Sequence, residues 1–195
     1  MTRVFHIALR RRREGKTDYH HRKIQIRSGV TRLIIRCTLN NCIIQFAKAE
    51  PTGDRIIITV TSKALENYGW RTPCGNISSA YLTGYLTSLK AKKEGLSDAI
   101  LDVGVYTPII GSRTYAALKG VLDGGIAVPC DKSIFPDESR IRGIHIANYW
   151  NSIEDQAERE HKFSGYLKKG IIPEKIPDIF AEVKQNINKN YSKEN

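Results

Sequence analysis

Two sets of residues could do chemistry. The first is the stretch RRRREGKTDYHHRK, residues 10 to 23. Gly15-Lys16-Thr17 has the ending of a phosphate-binding loop, G-x-x-x-x-G-K-[ST]. The first glycine of that motif would fall at residue 10, which is Arg10, and nothing upstream resembles a buried strand. Nucleotide hydrolysis through such a loop is therefore excluded. The second set is Asp102 with Asp123 and Asp137, which could hold magnesium for nuclease chemistry of the ribonuclease H type. Such enzymes also place a carboxylate on their first strand, and RLIIRCT, from Arg32, has none.

The arginine run points to a different chemistry. Arg10, Arg11, Arg12 and Arg13 are too densely charged to pack together in a core. Each guanidinium can hold a phosphate through two hydrogen bonds. Tyr19, His20 and His21 lie among Lys16, Arg22, Lys23 and Arg27, and rings among cations suit stacking on unpaired bases. The net charge is +11, yet residues 1–36 carry 11 Lys/Arg against 2 Asp/Glu and the rest is nearly balanced. The excess sits in an N-terminal arm, which we expect to be disordered when free because it has little to bury. A polyanionic partner is implied. The arm has too few large apolar residues on one face to insert into lipid, so a membrane partner is not expected.

The body must position this arm. RLIIRCT, CIIQFAKAE and RIIITVTS are rich in β-branched residues and separated by turns at Asn40-Asn41 and Pro51-Thr52-Gly53-Asp54. They predict an antiparallel three-stranded meander. Asn76 caps a helix whose last turn holds Lys90, Lys92 and Lys93 and which Gly95 ends. AILDVGV reads as a strand covered on both faces, with Asp102 on a central strand. Ser112 caps a second helix, stopped by Gly124-Gly125, and IAVP suggests one more short strand. The order βββαβα predicts an α/β fold, a mixed sheet with a parallel strand and packed helices. Beyond Pro129, Asp137 to Trp150 reads as one helix and Glu154 to Phe163 as a weaker one. Pro173 and Pro177 interrupt, a short helix carries Phe180, Val183 and Ile187, and the last residues look frayed. The expected organisation is a basic arm at 1–30, an α/β body at 31–130 and a helical extension at 131–195. The four cysteines, Cys37, Cys42, Cys74 and Cys130, form no C-x-x-C pair and read as apolar filler in a reducing cytosol. No cofactor is implied. Gly69 and Gly75 suggest positive φ or close approach, and Gly84, inside a helix, suggests tight packing against the sheet or RNA.

RRRREGKTDYHHRK resembles the N-terminal signature of the archaeal large-subunit ribosomal protein family that binds 5S rRNA, universal large-subunit protein eighteen. PTGDR at 51–55, NYGWRTPCGNISSAYLTGYL from Asn67, AILDVGV, GSRTYAALKGVLDGGIAVP and IFPDESRIRGIHIANYW are similar to further segments of that family, in order, to about Trp150. The resemblance implies a place in the central protuberance of the large ribosomal subunit, in the cytoplasm, and no catalysis. Its implied partners are 5S rRNA, the large-subunit rRNA and neighbouring ribosomal proteins, including the other 5S-binding one. The expected RNA-binding residues are Arg3, Arg10 to Arg13, Lys16, Thr17, Tyr19, His20, His21, Arg22, Lys23, Arg27, Arg36, Trp70 and Arg71. For Trp70 the residues leave two readings open, stacking on RNA beside Arg71 or plugging the core edge with Tyr68. His20 and His21 depart from the family's usual Arg or Lys, which lowers the permanent charge there. Cys74 stands where Thr is expected.

Overall fold

The computed structural model describes residues 6–192. Three strands form the expected meander: β1 (Arg32–Cys37), β2 (Cys42–Glu50) and β3 (Gly53–Thr61). In the first turn Thr38 and Asn41 bond to each other, with Thr38 Oγ1 accepting from the Asn41 N–H at 3.1 Å. β2 and β3 pair antiparallel from Ile43↔Thr61 to Glu50↔Gly53, with a bulge after Phe46. The fourth strand, β4 (Ile100–Asp102), pairs parallel to β1, and the sheet order is β3-β2-β1-β4.

Here the structure corrects the sequence. β4 has three residues and lies at the sheet edge, so Asp102 is not on a central strand. Ile100 and Leu101 are only half-buried, and Val105 is exposed, since the chain leaves the sheet after Asp102. IAVP supplies only an isolated bridge, Asp98↔Ala127.

Strand alternation divides the sheet into two faces. Leu33, Ile35, Ile44, Phe46, Ile58 and Val60 are buried on the inner face. Against it lie α3 (Ile77–Lys93) and α4 (Arg113–Asp123). Asn76 caps α3 as expected, its Oδ1 accepting from the Ser79 N–H at 2.7 Å. Ser112 begins α4 in extended conformation, but its side chain makes no capping bond. α3 and α4 cross through glycines. A Cβ on Gly84 would strike the Ala117 carbonyl, and one on Gly120 would strike the Tyr81 carbonyl. The tight packing expected of Gly84 is thus against the second helix, not the sheet or RNA.

The C-terminal third is helical but differs in detail. The single helix expected from Asp137 to Trp150 is two, α5 (Glu138–Arg142) and α6 (Ile144–Ser152), broken where Gly143 takes φ +82°. α7 (Gln156–Lys162) and α8 (Ser164–Leu167) follow. α9 (Ile176–Ser192) is longer than expected: Pro177 sits in its first turn, where a missing N–H costs nothing, and does not interrupt. Phe180, Val183 and Ile187 of α9 enter the core shared with the sheet, α3 and α4. Nor is the tail frayed through Tyr191. Asn188 Oδ1 accepts from the Tyr85 hydroxyl at 2.7 Å, and Lys93 Nζ lies 4.5 Å from the Tyr191 ring centre.

Candidate nucleic-acid interface

The described part of the arm holds two short helices. α1 (Arg10–Arg13) is a single turn and α2 (Tyr19–Arg27) spans nine residues, and neither buries a side chain fully. Asp18 caps α2, accepting from the His20 and His21 N–H groups at 2.8 and 3.3 Å. Those backbone bonds hold its carboxyl below the usual range. Between the helices Gly15 turns the chain at φ +64°, and Arg11 Nε donates across the turn to Thr17 Oγ1 at 2.8 Å.

Two contacts seat α2 on the body. Arg22 Nη2 pairs with Asp54 Oδ2 at 2.8 Å, and the Gln25 amide donates to the Leu101 carbonyl at 3.2 Å. Both anchors belong to the outer side of the sheet. Beneath them lies an ionic network that sequence reasoning missed. Arg32 is 2% exposed and stands between two carboxylates, its Nη2 2.6 Å from Asp54 Oδ1 and its Nη1 3.2 Å from Asp102 Oδ2. Arg36 holds the other oxygen of Asp102, with Nη2 2.9 Å from Oδ1, and donates from Nη1 to the Ile35 and Asp102 carbonyls. Burial alone would raise the Asp54 carboxyl, but the hydrogen bonds from Arg32 and Arg22 outweigh it and keep Asp54 below the usual carboxylate range. A signal was present: Arg32 and Arg36 fall on the same side of β1, opposite Leu33 and Ile35.

The predicted binding residues fall into distinct groups. Arg3 lies outside the described residues. Arg12, Arg13, Lys23 and Arg27 are exposed, and their side chains have no ion-pair or hydrogen-bond partner among the described residues. Arg10 and Lys16 share Glu14, at 3.5 and 2.9 Å. His21 Nδ1 lies 2.8 Å from Asp18, with the His20 ring packed edgewise against the His21 ring at 6.2 Å. Tyr19 and Thr17 are half-buried. Arg71 is exposed but lies after the 3-10 helix Ser62–Tyr68, outside the arm.

The structure places two further predicted residues differently from the arm's cations. Trp70 cannot stack on RNA, because it is fully buried in the core. Gly69, at φ +98°, ends the 3-10 helix in the left-handed region and turns the next side chain inward. Arg36 is committed chiefly to closing β4 onto β1, which leaves its side chain 32% exposed.

The carboxylates do not assemble a metal centre. Asp102 accepts from two arginines and from the Gly104 N–H at 2.8 Å. Asp123 accepts from the Tyr81 hydroxyl at 2.6 Å, and Asp137 begins α5. No cluster of three or more His, Cys, Asp or Glu able to hold a metal occurs among the described residues, and no helix there is long and apolar enough to cross a membrane.

Comparison with known proteins finds clear relatives. Residues 3–95 match the family described as "Ribosomal large subunit proteins 60S L5, and 50S L18". The "Large ribosomal subunit protein uL18" of Korarchaeum cryptofilum is 46% identical over 94% of both chains. Its namesake in Methanosphaera stadtmanae is 45% identical over 94% of this chain and 95% of its own. That of Methanothermobacter thermautotrophicus is 44% identical, with the same coverage.

Proposed function

The chain belongs to the uL18 family of large ribosomal subunit proteins, and from that membership we propose that it binds 5S rRNA through its N-terminal arm and helps attach it to the large rRNA in the central protuberance. Membership makes it a structural constituent of the large subunit rather than an enzyme. The observation that carries the finer reading is the set of cations Arg12, Arg13, Lys23 and Arg27, unpartnered among the described residues, on an arm seated against a folded body. A guanidinium already paired with a carboxylate has little to offer a phosphate, whereas these four have their full charge available. The body supplies shape and the arm supplies electrostatic grip. The large-subunit rRNA and the other 5S-binding protein complete the proposed set of partners, with Arg71 a candidate contact on the body.

The test is a salt-titrated binding assay against 5S rRNA, with transfer RNA as competitor, on the full chain and on a version lacking residues 1–28. Selective binding that falls by about 10³-fold from low to near-physiological salt, as neutralising roughly six phosphates would give, and that collapses with the deletion, supports the reading. Equal binding to both RNAs sinks it.

A further inference from the structure

Between the arm and the outer side of the sheet lies a cleft of about 500 Å³, bordered by Arg11, Lys16, His21, Arg36, Tyr106 and Pro108, with Asp18 and the arginine-paired Asp54 and Asp102 also along it. We propose that this cleft takes one unpaired nucleotide of the bound RNA, with its base stacked on Tyr106 and its phosphate on Arg11. The proposal rests on the reading of the arm as an RNA grip and adds a subsite on the body that the arm's cations alone do not define.

Three observations support it. First, the volume lies within the ~300–1,000 Å³ of ligand pockets. Second, Tyr106 is 56% exposed on a segment whose ends are fixed: the Gly104 N–H donates to Asp102 Oδ1 at 2.8 Å and the Gly111 N–H to the Ile134 carbonyl at 2.9 Å. A large ring left in water on an anchored loop is available for stacking at little cost in lost freedom. Third, cation and ring line the same cleft. Arg11 is turned across the Gly15 bend by its bond to Thr17, which occupies only Nε and leaves the two Nη groups for an anion.

The chemistry selects the ligand class. A base within a duplex has its π-faces covered by its neighbours, so a lone aromatic ring recruits a looped-out or single-stranded base. Gly104 lets the loop pass close to Arg36, which lines the same cleft. It takes φ +70°, and a Cβ there would meet the Arg36 guanidinium at about the distance of a clash, 2.9 Å from Nη2.

The experiment measures 5S rRNA affinity for the full chain, Tyr106→Ala, Tyr106→Phe and the double change Arg12→Ala with Arg13→Ala, with ultraviolet crosslinking to map the peptide that meets the RNA. Loss of about ten- to a hundredfold for Tyr106→Ala, retention in Tyr106→Phe and a crosslink within residues 103–110 support the subsite. If Tyr106→Ala binds like the unaltered chain while the arm double variant loses affinity, the subsite is overturned and the arm reading stands. If the unaltered chain binds 5S rRNA no better than transfer RNA, yet Tyr106→Ala weakens both, the 5S reading fails and the subsite survives as a general one. Absence of any RNA binding overturns both.

Discussion

The Arg32 guanidinium bridges Asp54 and Asp102, carboxylates contributed by β3 and by the sheet-edge strand β4. A single buried cation thus ties both sides of the sheet to β1. The same two carboxylates receive Arg22 from the arm and Arg36 from β1 itself, so the arm's seat and the sheet's edge share one network.

Removing one member should leave buried charge only partly compensated. Asp102→Ala strips Arg32 and Arg36 of an acceptor that is itself almost fully buried, while Asp54 still faces Arg32, so the cost should lie near the lower end, about 3 kcal/mol, of that for breaking a buried pair. Urea denaturation of the full chain measures the loss. A change below 1 kcal/mol would show that water replaces the carboxylate freely. RNA cleavage is not expected from either protein.

Asp54 makes stability depend on acid. Its folded pKa lies below the ordinary ~3.9 of an unfolded aspartate. The carboxylate therefore contributes stability that is fully present above ~4 and is lost as pH falls through the lower folded value. Denaturation midpoints between pH 6 and 2.5 should drop more steeply for the unaltered chain than for Asp54→Asn. Parallel curves would remove Asp54 from the acid response.

The arm's cations should divide by pairing. Arg12→Ala with Arg13→Ala removes two unpartnered charges and should flatten the logarithmic salt slope of RNA binding by ~1.4–1.8. Arg10→Ala, which removes a cation shared with Glu14, should change the slope by less than either unpartnered residue alone. Equal effects would mean that Glu14 does not hold its partners in solution.

Gly84→Ala places opposing effects in one substitution. The helix gains roughly 1 kcal/mol of propensity, while the added methyl meets the Ala117 carbonyl, a backbone atom that cannot swing aside. Overpacking of this kind costs about 1–3 kcal/mol, so net destabilisation is expected in urea. A stabilised variant would show that α3 and α4 can separate without penalty.

Cys37 and Cys42 face each other at the end of β1 and β2, with sulfurs 3.3 Å apart. The hydrogen bond from Cys42 lowers the Cys37 thiol to about 7, whereas burial raises Cys130 above the usual thiol range. The rate of iodoacetamide alkylation, followed by mass spectrometry, should rise through about pH 7 at Cys37 and at distinctly higher pH at Cys130. Coincident profiles would contradict the thiol pairing.

The meander, α3 with its Asn76 cap and the stop at Gly95 were legible because local pattern and local chemistry agree there. The arm was legible as a charge excess, but not its sorting into paired and unpaired cations. That sorting depends on Asp54 and Glu14, and only the fold brings Asp54 to Arg22. Trp70 was ambiguous for a similar reason, since its direction is set by the φ of Gly69. The Gly143 break and the length of α9 were misread because a glycine inside a periodic run, or a proline near a helix start, has different consequences at different positions. Tyr106 went unnoticed because a single tyrosine in a loop has no pattern around it.

The parallel pairing of β4 with β1 also sets an order of events during folding. Arg32 meets Asp54 across a short meander, but Asp102 lies 70 residues further along the chain, and closing a long loop is slower than closing hairpins. On a chain growing from its N-terminus the three-stranded meander can form early, with Arg32 only half neutralised. The Gln25 contact to Leu101 must wait for the same late strand. Arg22 can meet Asp54 on the early meander, but the arm's seat is complete only when the sheet edge closes, so the RNA-binding surface matures in two steps.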